Sequence, residues 1–289
     1  VFKNLVDDEP SEKIGLYQGE LIASLELHEK WRHLRGNSNI KWRSGIKHDC
    51  SKVMELKKIG DKYQNGFGEL VELEDDYVYP LLKSSDVAND AIIPRRFVIV
   101  TQKKVGQETF SIEQNAPQTW NYLMKYAGLL DNRGSSIYQN KPRFAMFGIG
   151  DYSFAKWKVA ISGFYKKLFF AAVGEHENKP IMLDDTCYFI ACESKTEAEN
   201  LAFQLNSSAA KEFFESFVFW DAKRPITSQL LQKLDLAKLL RELNKQNSTQ
   251  EVENLRDGKR ETFDAENLRK QWRKEKRAAR KSANASSAD

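Results

Sequence analysis

A short segment of the chain carries acidic and basic side chains at a spacing related to that of metal-dependent nucleases. Asp49 is followed by Glu55 and Lys57. In such sites the carboxylates hold Mg²⁺ and the lysine assists the attacking water. Only five residues separate Asp49 from Glu55, which is tighter than the nuclease fold normally permits. A magnesium-dependent DNA nuclease therefore stays open as an alternative function, and no residue is assigned as catalytic.

The usual catalytic signatures are missing from the sequence. It contains no Gly-x-Gly-x-x-Gly, Gly-x-x-x-x-Gly-Lys-Ser/Thr, Gly-x-Ser-x-Gly or His-Glu-x-x-His motif. It also contains no Pro-Pro pair, whereas an enzyme that methylates an amino group of DNA needs an Asn/Asp-Pro-Pro-Tyr/Phe loop to hold the flipped base. We therefore expect neither methyl transfer nor a bound cofactor in this chain.

Histidines and cysteines are too scattered to predict a metal site. They are His28, His33, His48 and His176, and Cys50, Cys187 and Cys192. Only His48 lies near a cysteine, Cys50, whereas a zinc site needs about four converging ligands. The odd number of cysteines and their spacing fit no disulfide framework, so we expect buried reduced thiols.

Pairs of basic residues lie beside predicted strands or a proline. They are Arg95-Arg96, Lys103-Lys104, Lys166-Lys167 and Lys223-Arg224, interleaved in the chain with Ser84, Ser85, Ser135, Ser136, Tyr138 and Trp157. Isolated basic pairs usually form solvated faces, but several together also suit a surface that grips phosphates. The net charge of +4 is too small to decide between the two interpretations.

The elements that would position these residues are short strands and separate helices. Apolar runs bounded by glycine or proline predict strands at 53–56, 77–82, 97–101, 143–149, 157–162, 168–173, 180–183 and 186–192. Helices are predicted at 9–34, at 117–131 from the apolar face of Trp120, Leu123, Ala127 and Leu130, at 194–205 from the capping box Ser194-Lys-Thr-Glu197, and at 209–219 and 227–240. This clustering predicts an α+β fold of mostly antiparallel sheets with flanking helices.

Two further segments have a distinctive composition. The aromatic residues Phe213, Phe214, Phe217, Phe219 and Trp220 have a spacing more typical of a core-facing helix end than of a platform for stacked bases. From Asn244 onward apolar residues thin out and lysine and arginine accumulate, which predicts a basic helical tail, partly disordered at its end. This tail is a third candidate, a module that binds an acidic partner or a catalytic part.

No apolar run is long enough to span a membrane, and the first residues lack the features of a secretory signal. We therefore expect a cytoplasmic protein without a membrane partner. The chain begins at Val1 rather than methionine. We accordingly expect a fragment or a separate subunit whose upstream partner is missing.

A series of segments resembles the target-recognition domain at the C-terminal end of TaqI-like adenine-specific DNA methyltransferases and fused type II restriction-modification enzymes. In chain order these segments are 42–56 (a glycine-centred loop and strand), 77–89, 116–133 (a helix), 151–162 and 183–189 (central strands), 198–207 (a closing helix) and 219–227. The resemblance covers roughly residues 40–236. The order of the segments is more specific than any one of them.

The resemblance implies that the chain binds double-stranded DNA while an upstream domain or subunit binds S-adenosylmethionine and methylates the adenine. It divides the chain into a helical linker (1–39), a DNA target-recognition domain (40–243) and the basic tail (244–289). Donors in its loops are the expected DNA contacts: Lys47, His48, Ser51, Lys52, Lys83, Ser84, Ser85, Arg133, Ser135, Ser136, Lys156, Trp157 and Lys158. Asp86, Asp184 and Asp185 are instead predicted to cap turns and strands.

Overall fold

A computed structural model gives the fold of residues 13–38 and 40–256, with side chains described as far as residue 248. The chain forms two compact units, Val1–Leu239 and Leu240–Asp289. The boundary predicted at residue 39 lies within the first unit. The functional division of the chain stays a prediction.

The secondary structure consists of short strands and mostly short helices. The strands are β1 (Gly15–Tyr17), β2 (Glu20–Ile22), β3 (Arg43–Ser44), β4 (Glu55–Ile59), β5 (Lys62–Gln64), β6 (Leu70–Val71), β7 (Val78–Leu82), β8 (Arg96–Ile99), β9 (Trp157–Ser162), β10 (Ala171–Val173), β11 (Glu175–His176), β12 (Lys179–Pro180), β13 (Met182–Leu183) and β14 (Cys187–Cys192). The helices are α1 (Leu25–Trp31), α2 (Ser51–Met54), α3 (Ser84–Ala88), α4 (Ile112–Asn115), α5 (Pro117–Lys125), α6 (Ala127–Asp131), α7 (Lys195–Leu205), α8 (Ser208–Glu215), α9 (Ser228–Leu231) and α10 (Leu236–Arg256).

Two larger sheets organise the described residues of the first unit. One has the order β10-β9-β14-β3 and is antiparallel throughout. The other has the order β13-β7-β8-β4-β5-β6 and is antiparallel except for the parallel pair β13 and β7. Helices α3 and α7 contact β9. The predicted α+β fold with mostly antiparallel sheets is confirmed.

Local sequence signals account for two of the helices. At the start of α7 the Ser194 hydroxyl accepts a hydrogen bond from the Glu197 amide at 3.1 Å, and the Glu197 carboxylate accepts one from the Glu193 amide at 2.6 Å. The predicted cap is confirmed, although the returning bond reaches the residue before the cap. Pro117 occupies the first turn of α5, where its missing N–H is not needed.

The helix predicted at 117–131 forms with its expected buried face. Leu123, Ala127 and Leu130 are buried and Trp120 packs half-buried against the same core. The chain divides into α5 and α6 at Tyr126.

Three predicted elements differ from the structure. Residues 15–22 form the β1–β2 hairpin rather than part of a helix, with Gln18 and Gly19 at positive φ in its turn; residues 9–12 lie outside the described part. The apolar run 143–149 is a buried loop, because Phe144 and Gly148 have positive φ angles that no strand adopts. The helix predicted at 227–240 is interrupted between α9 and α10.

Several boundaries also shift. Residues 53–54 belong to α2 and only 55–56 to β4. The predicted strand at 168–173 is shortened to β10, and the one at 180–183 is divided between the end of β12 and β13. Helix α8 ends at Glu215, four residues before the predicted end. The element type is as predicted in these segments except at residues 53–54, and the differences lie in where the elements begin and end.

The thiols and the aromatic cluster largely match their predictions. Cys187 and Cys192 are buried and free, Cys50 is free but half-buried, and burial raises the pKa of Cys192 to about 12. Phe213, Phe214 and Phe217 are buried core residues, while Phe219 and Trp220 are half-buried.

Among the helices that the structure describes, none combines the length and apolarity needed to cross a membrane. The helix predicted from Asn244 is present through Arg256 in α10. The rest of the predicted basic tail lies outside the described residues.

Candidate nucleic-acid interface

Main-chain contacts hold together the loops that carry several predicted DNA-binding residues. Lys47 exchanges backbone hydrogen bonds with Phe147 at 2.8 and 3.0 Å, and the Ile46 amide donates to the Leu183 carbonyl at 2.7 Å. A Cβ atom on Gly45 would overlap the carbonyl oxygens of Leu183 and Asp184. The segments 45–50, 144–148 and 183–186, named here the loop cluster, are therefore packed backbone against backbone.

A carboxylate in the loop cluster lies between two cations. Asp185 Oδ2 is 3.9 Å from Lys47 Nζ and 4.0 Å from the Arg224 guanidinium. Lys47 also forms a 2.7 Å ion pair with Asp49. Burial and the nearby Asp184 raise the pKa of Asp185, while Lys47 and Arg224 oppose that rise. These four side chains, Lys47, Asp49, Asp185 and Arg224, form the Asp185 cluster at the protein surface.

The aspartates predicted to cap turns divide into two kinds. The Asp86 carboxylate accepts a hydrogen bond from the Lys83 amide at 2.9 Å, and Asp184 accepts one from the Thr186 amide at 3.0 Å. The capping role is confirmed for both. For Asp185 the contacts found are the ion pairs of the Asp185 cluster.

Arg133 lies beside the loop cluster but bonds within the protein. Its Nε donates to the Leu130 carbonyl at 2.7 Å, and its Nη1 donates to the carbonyls of His48 and Ala145 at 3.1 and 2.8 Å. The guanidinium also lies 3.7 Å from the centre of the Tyr138 ring. These donors connect loops of the protein, and Arg133 is half-buried, so its contact with DNA stays a prediction.

Three further predicted contacts are buried and hydrogen-bonded. Lys158 Nζ donates to the carbonyls of Ala155 and Ile181, and its side chain is 1% exposed. The Ser84 hydroxyl lies 2.8 Å from that of Ser162. His48 Nδ1 accepts a hydrogen bond from the Cys50 amide at 3.2 Å. Lys158, Ser84 and His48 were predicted as donors at the surface, and this prediction is corrected. All three are buried, and their polar atoms form hydrogen bonds within the protein.

The remaining predicted residues reach the surface to different degrees. Ser51, Lys52, Ser136 and Lys156 are exposed, and Lys47, Lys83, Ser85, Ser135 and Trp157 are half-buried. Ser51 and Lys52 line a pocket of about 400 Å³ together with Lys57 and Arg96. At this pocket the predicted residues are joined by basic side chains that come from strands β4 and β8.

The segment considered for a nuclease is organised by ion pairs. Glu55 lies 2.7 Å from Lys83 Nζ and 3.5 Å from His48 Nε2. Burial favours a higher pKa for Glu55, but hydrogen bonds with His48 and Lys83 outweigh it and lower the pKa. Within residues 13–38 and 40–256 no group of three or more histidine, cysteine or acidic side chains is arranged to hold a metal ion. The nuclease alternative therefore has no supporting site there.

One surface loop with exposed aromatic and basic residues lies outside the expected DNA contacts. Residues 163–167 connect β9 towards β10 and expose Phe164 and Tyr165 to 38% and 42%. Lys166 and Lys167 follow them and are exposed as well. The sequence signal was a glycine directly after a strand, followed by paired aromatic and paired basic residues. Of these residues, only Lys166 and Lys167 belong to the basic pairs whose spacing also suits a surface that binds phosphates.

No protein family model matches the sequence. The type II methyltransferase M.NspV of Nostoc sp. (strain ATCC 29411 / PCC 7524) is 51% identical to it over 226 residues. The chain is similar to part of a type II methyltransferase. The match covers 78% of this chain and 47% of M.NspV, so the chain spans about half the length of that relative.

Among solved structures, the type IIL restriction-modification enzyme MmeI, determined in complex with DNA, aligns with a TM-score of 0.44 and 12% sequence identity. The alignment covers 69% of this chain and 26% of MmeI.

Proposed function

We propose that this chain binds double-stranded DNA and recognises the target sequence for an adenine-specific DNA methyltransferase of a restriction-modification system. The observation that carries the proposal is the 51% identity to about half of a type II methyltransferase. Such an enzyme needs both a methyl-transfer centre and a means of recognising its site. The present sequence lacks the Pro-Pro pair of the catalytic loop, so we assign recognition to it.

The surface of the first unit supports this role. Cations reach the surface in two places. Lys47 on the loop cluster and Arg224 flank Asp185, and Lys52, Lys57 and Arg96, on α2, β4 and β8, line the pocket. Lysine and arginine supply affinity for phosphates, and donors on rigid loops can contact base edges. Rigid loops lower the entropy lost when the complex forms.

The proposal places methyl transfer elsewhere. S-adenosylmethionine and the adenine-binding loop would belong to a catalytic domain or subunit that docks with this chain, and the complex would act in the cytoplasm. The basic tail beyond Arg256 is a candidate for that docking, as its composition suggested. Adenine as the methylated base rests on the resemblance to TaqI-like enzymes.

Binding of the full 289-residue chain to a fluorescent pool of random duplexes tests the proposal. We expect binding that weakens steeply when salt rises from about 50 to about 200 mM, because phosphate contacts release counterions. Unlabelled duplexes of single sequences should compete unequally, whereas double-stranded RNA should compete poorly. No binding to any DNA duplex at the lower salt, or equal competition by every duplex, would contradict the proposed function.

A further inference from the structure

We propose that Arg224 reads a guanine in the DNA target and that the loop 163–167 binds the phosphates beside it. This inference rests on the proposed DNA binding and names the residues that would carry base choice. Arg224 lies in segment 219–227, which carries part of the resemblance, but neither Arg224 nor the loop 163–167 is among the expected DNA contacts.

Arg224 is held on two sides. Its guanidinium carbon lies 4.6 Å from the centre of the Phe164 ring, and its Nη2 lies 4.0 Å from Asp185 Oδ2. Pro225 follows directly and is buried, which limits the backbone conformations open to Arg224. The planar guanidinium therefore has a restricted orientation while its side chain stays 38% exposed.

The surroundings of Arg224 favour a base edge over a phosphate as its target. A phosphate placed at this guanidinium would also approach the Asp185 carboxylate and be repelled by it. A guanine edge is neutral and offers two acceptors, O6 and N7, to a guanidinium fork. Stacking on an aromatic ring leaves the edge donors of arginine free for such a pair.

The loop 163–167 is anchored at its base. The amides of Phe164 and Tyr165 donate to the Ser162 hydroxyl at 3.3 and 3.1 Å, and the Gly163 amide donates to the Thr186 carbonyl at 2.8 Å. The Ser162 hydroxyl in turn contacts buried Ser84 at 2.8 Å. Ser84 thus contributes to the interface by positioning this loop.

Beyond its anchored base, the loop exposes groups suited to a DNA backbone. Lys166 and Lys167 are exposed, and Lys166 is only loosely paired with Asp221 at 3.9 Å. Asp221 is itself fully exposed, so this pair is weak in water and yields readily to a phosphate. Tyr165, exposed at 42% beside these lysines, offers an aromatic face and a hydroxyl to the sugar-phosphate chain.

The test selects duplexes from a library with a randomised central segment, using the full chain, and sequences the bound fraction. We expect the wild type to enrich a motif with at least one guanine position. Arg224→Ala should lose discrimination at one such position by about 10-fold and keep the others. Arg224→Lys should retain overall affinity better than Arg224→Ala without restoring that preference.

Matched variants separate base reading from general binding. Lys166→Ala combined with Lys167→Ala should weaken binding to all sequences alike, and Lys30→Ala, at a surface ion pair with Glu212, should change neither property. An unchanged guanine preference in Arg224→Ala, with normal thermal unfolding, would overturn the inference. Failure of the wild type to bind any duplex would instead overturn the proposed function.

Discussion

The two ends of strand β9 carry similar residues but expose them differently. Lys156, just before the strand, and its first two residues read Lys-Trp-Lys. In the loop 163–167 after the strand, Gly163 is followed by Phe-Tyr-Lys-Lys. At the beginning, Lys158 is buried between neighbouring strands, with Val173 and Ala191 as its register partners. At the end, residues 164–167 of the loop are all exposed to solvent. The position of a basic residue relative to the sheet therefore decides whether it is exposed to solvent, and so whether it is available for the proposed contact with DNA.

The largest effect is expected from Lys158, whose buried amine should make the free energy of unfolding depend on pH. Burial lowers the pKa of Lys158 from 10.5 to about 7, so between pH 7 and 10.5 the unfolded chain binds a proton that the folded chain does not. Stability should therefore rise with pH in that window and be lowest below it. Between pH 6 and 9 this contribution is about 2 to 3 kcal/mol.

Urea unfolding of wild type and Lys158→Met at both pH values measures this difference. Methionine cannot titrate, so the free energy of unfolding of Lys158→Met should increase less than that of the wild type over the same pH range. The change that remains in the variant is the contribution of the other titrating groups. Equal gains in the two proteins would mean that Lys158 is charged and solvated, and the contrast between the ends of β9 would disappear.

A smaller effect on the free energy of unfolding is expected from Gly163, which directly follows the last residue of β9. A Cβ there would lie 2.9 Å from the Tyr188 ring and 3.0 Å from the Thr186 carbonyl oxygen. Gly163→Ala should lower the free energy of unfolding by about 1 to 2 kcal/mol and weaken duplex binding by displacing the loop. Gly134→Ala, where the added atom meets open space, is the control. Equal unfolding midpoints for the two variants would show that the loop is not anchored by this packing.

The paired lysines of the loop should affect affinity without affecting stability. Replacing Lys166 and Lys167 with alanine is expected to weaken duplex binding on the order of 10-fold and to reduce the slope of log affinity against log salt by about 2. Anisotropy titrations at several salt concentrations give both quantities. An unchanged slope would mean that Lys166 and Lys167 do not contact phosphates.

The smallest effect on duplex affinity is expected from Lys156, which directly precedes the first residue of β9. It forms a 3.2 Å ion pair with Glu175 on β11, and exposed pairs contribute little. Glu175 lies closer to Lys156 and is less exposed than Asp221 beside Lys166, so it competes better with a phosphate for the lysine. Lys156→Ala should therefore change duplex affinity by less than about twofold and leave the unfolding midpoint unchanged. A loss as large as that of the loop variant would place both ends of β9 on the DNA and restore the original prediction for this residue.

Sequence patterns predicted elements whose signals are local. The cap at Ser194 and the buried face around Leu123 depend on residues within a few positions of one another. The run 143–149 has the composition of a strand but is buried as a loop, and its positive φ angles depend on packing against distant segments. The β1–β2 turn likewise depends on backbone conformations at Gln18 and Gly19 that apolar spacing does not report.

The sequence predicted which loops form the candidate site better than it predicted which of their side chains are exposed. Alternation along β9 would place Lys158 opposite Trp157 on a solvent face, but residues 158–162 are buried on both faces of the strand. Arg224 could not be assigned because its partners, Phe164 and Asp185, are far away in the sequence. Spacing identifies neighbours along the chain, whereas this cluster is assembled by tertiary contacts.

The glycine contact in the loop cluster has a consequence for how specificity could change. Gly45 and Gly148 meet main chain against main chain, so the path of these loops is set by atoms that every amino acid shares. Side chains such as Lys47 and Asp185 extend from a frame that does not depend on their identity. A library that randomises them together with Arg224, while keeping both glycines, would sample new target sequences on an unaltered scaffold.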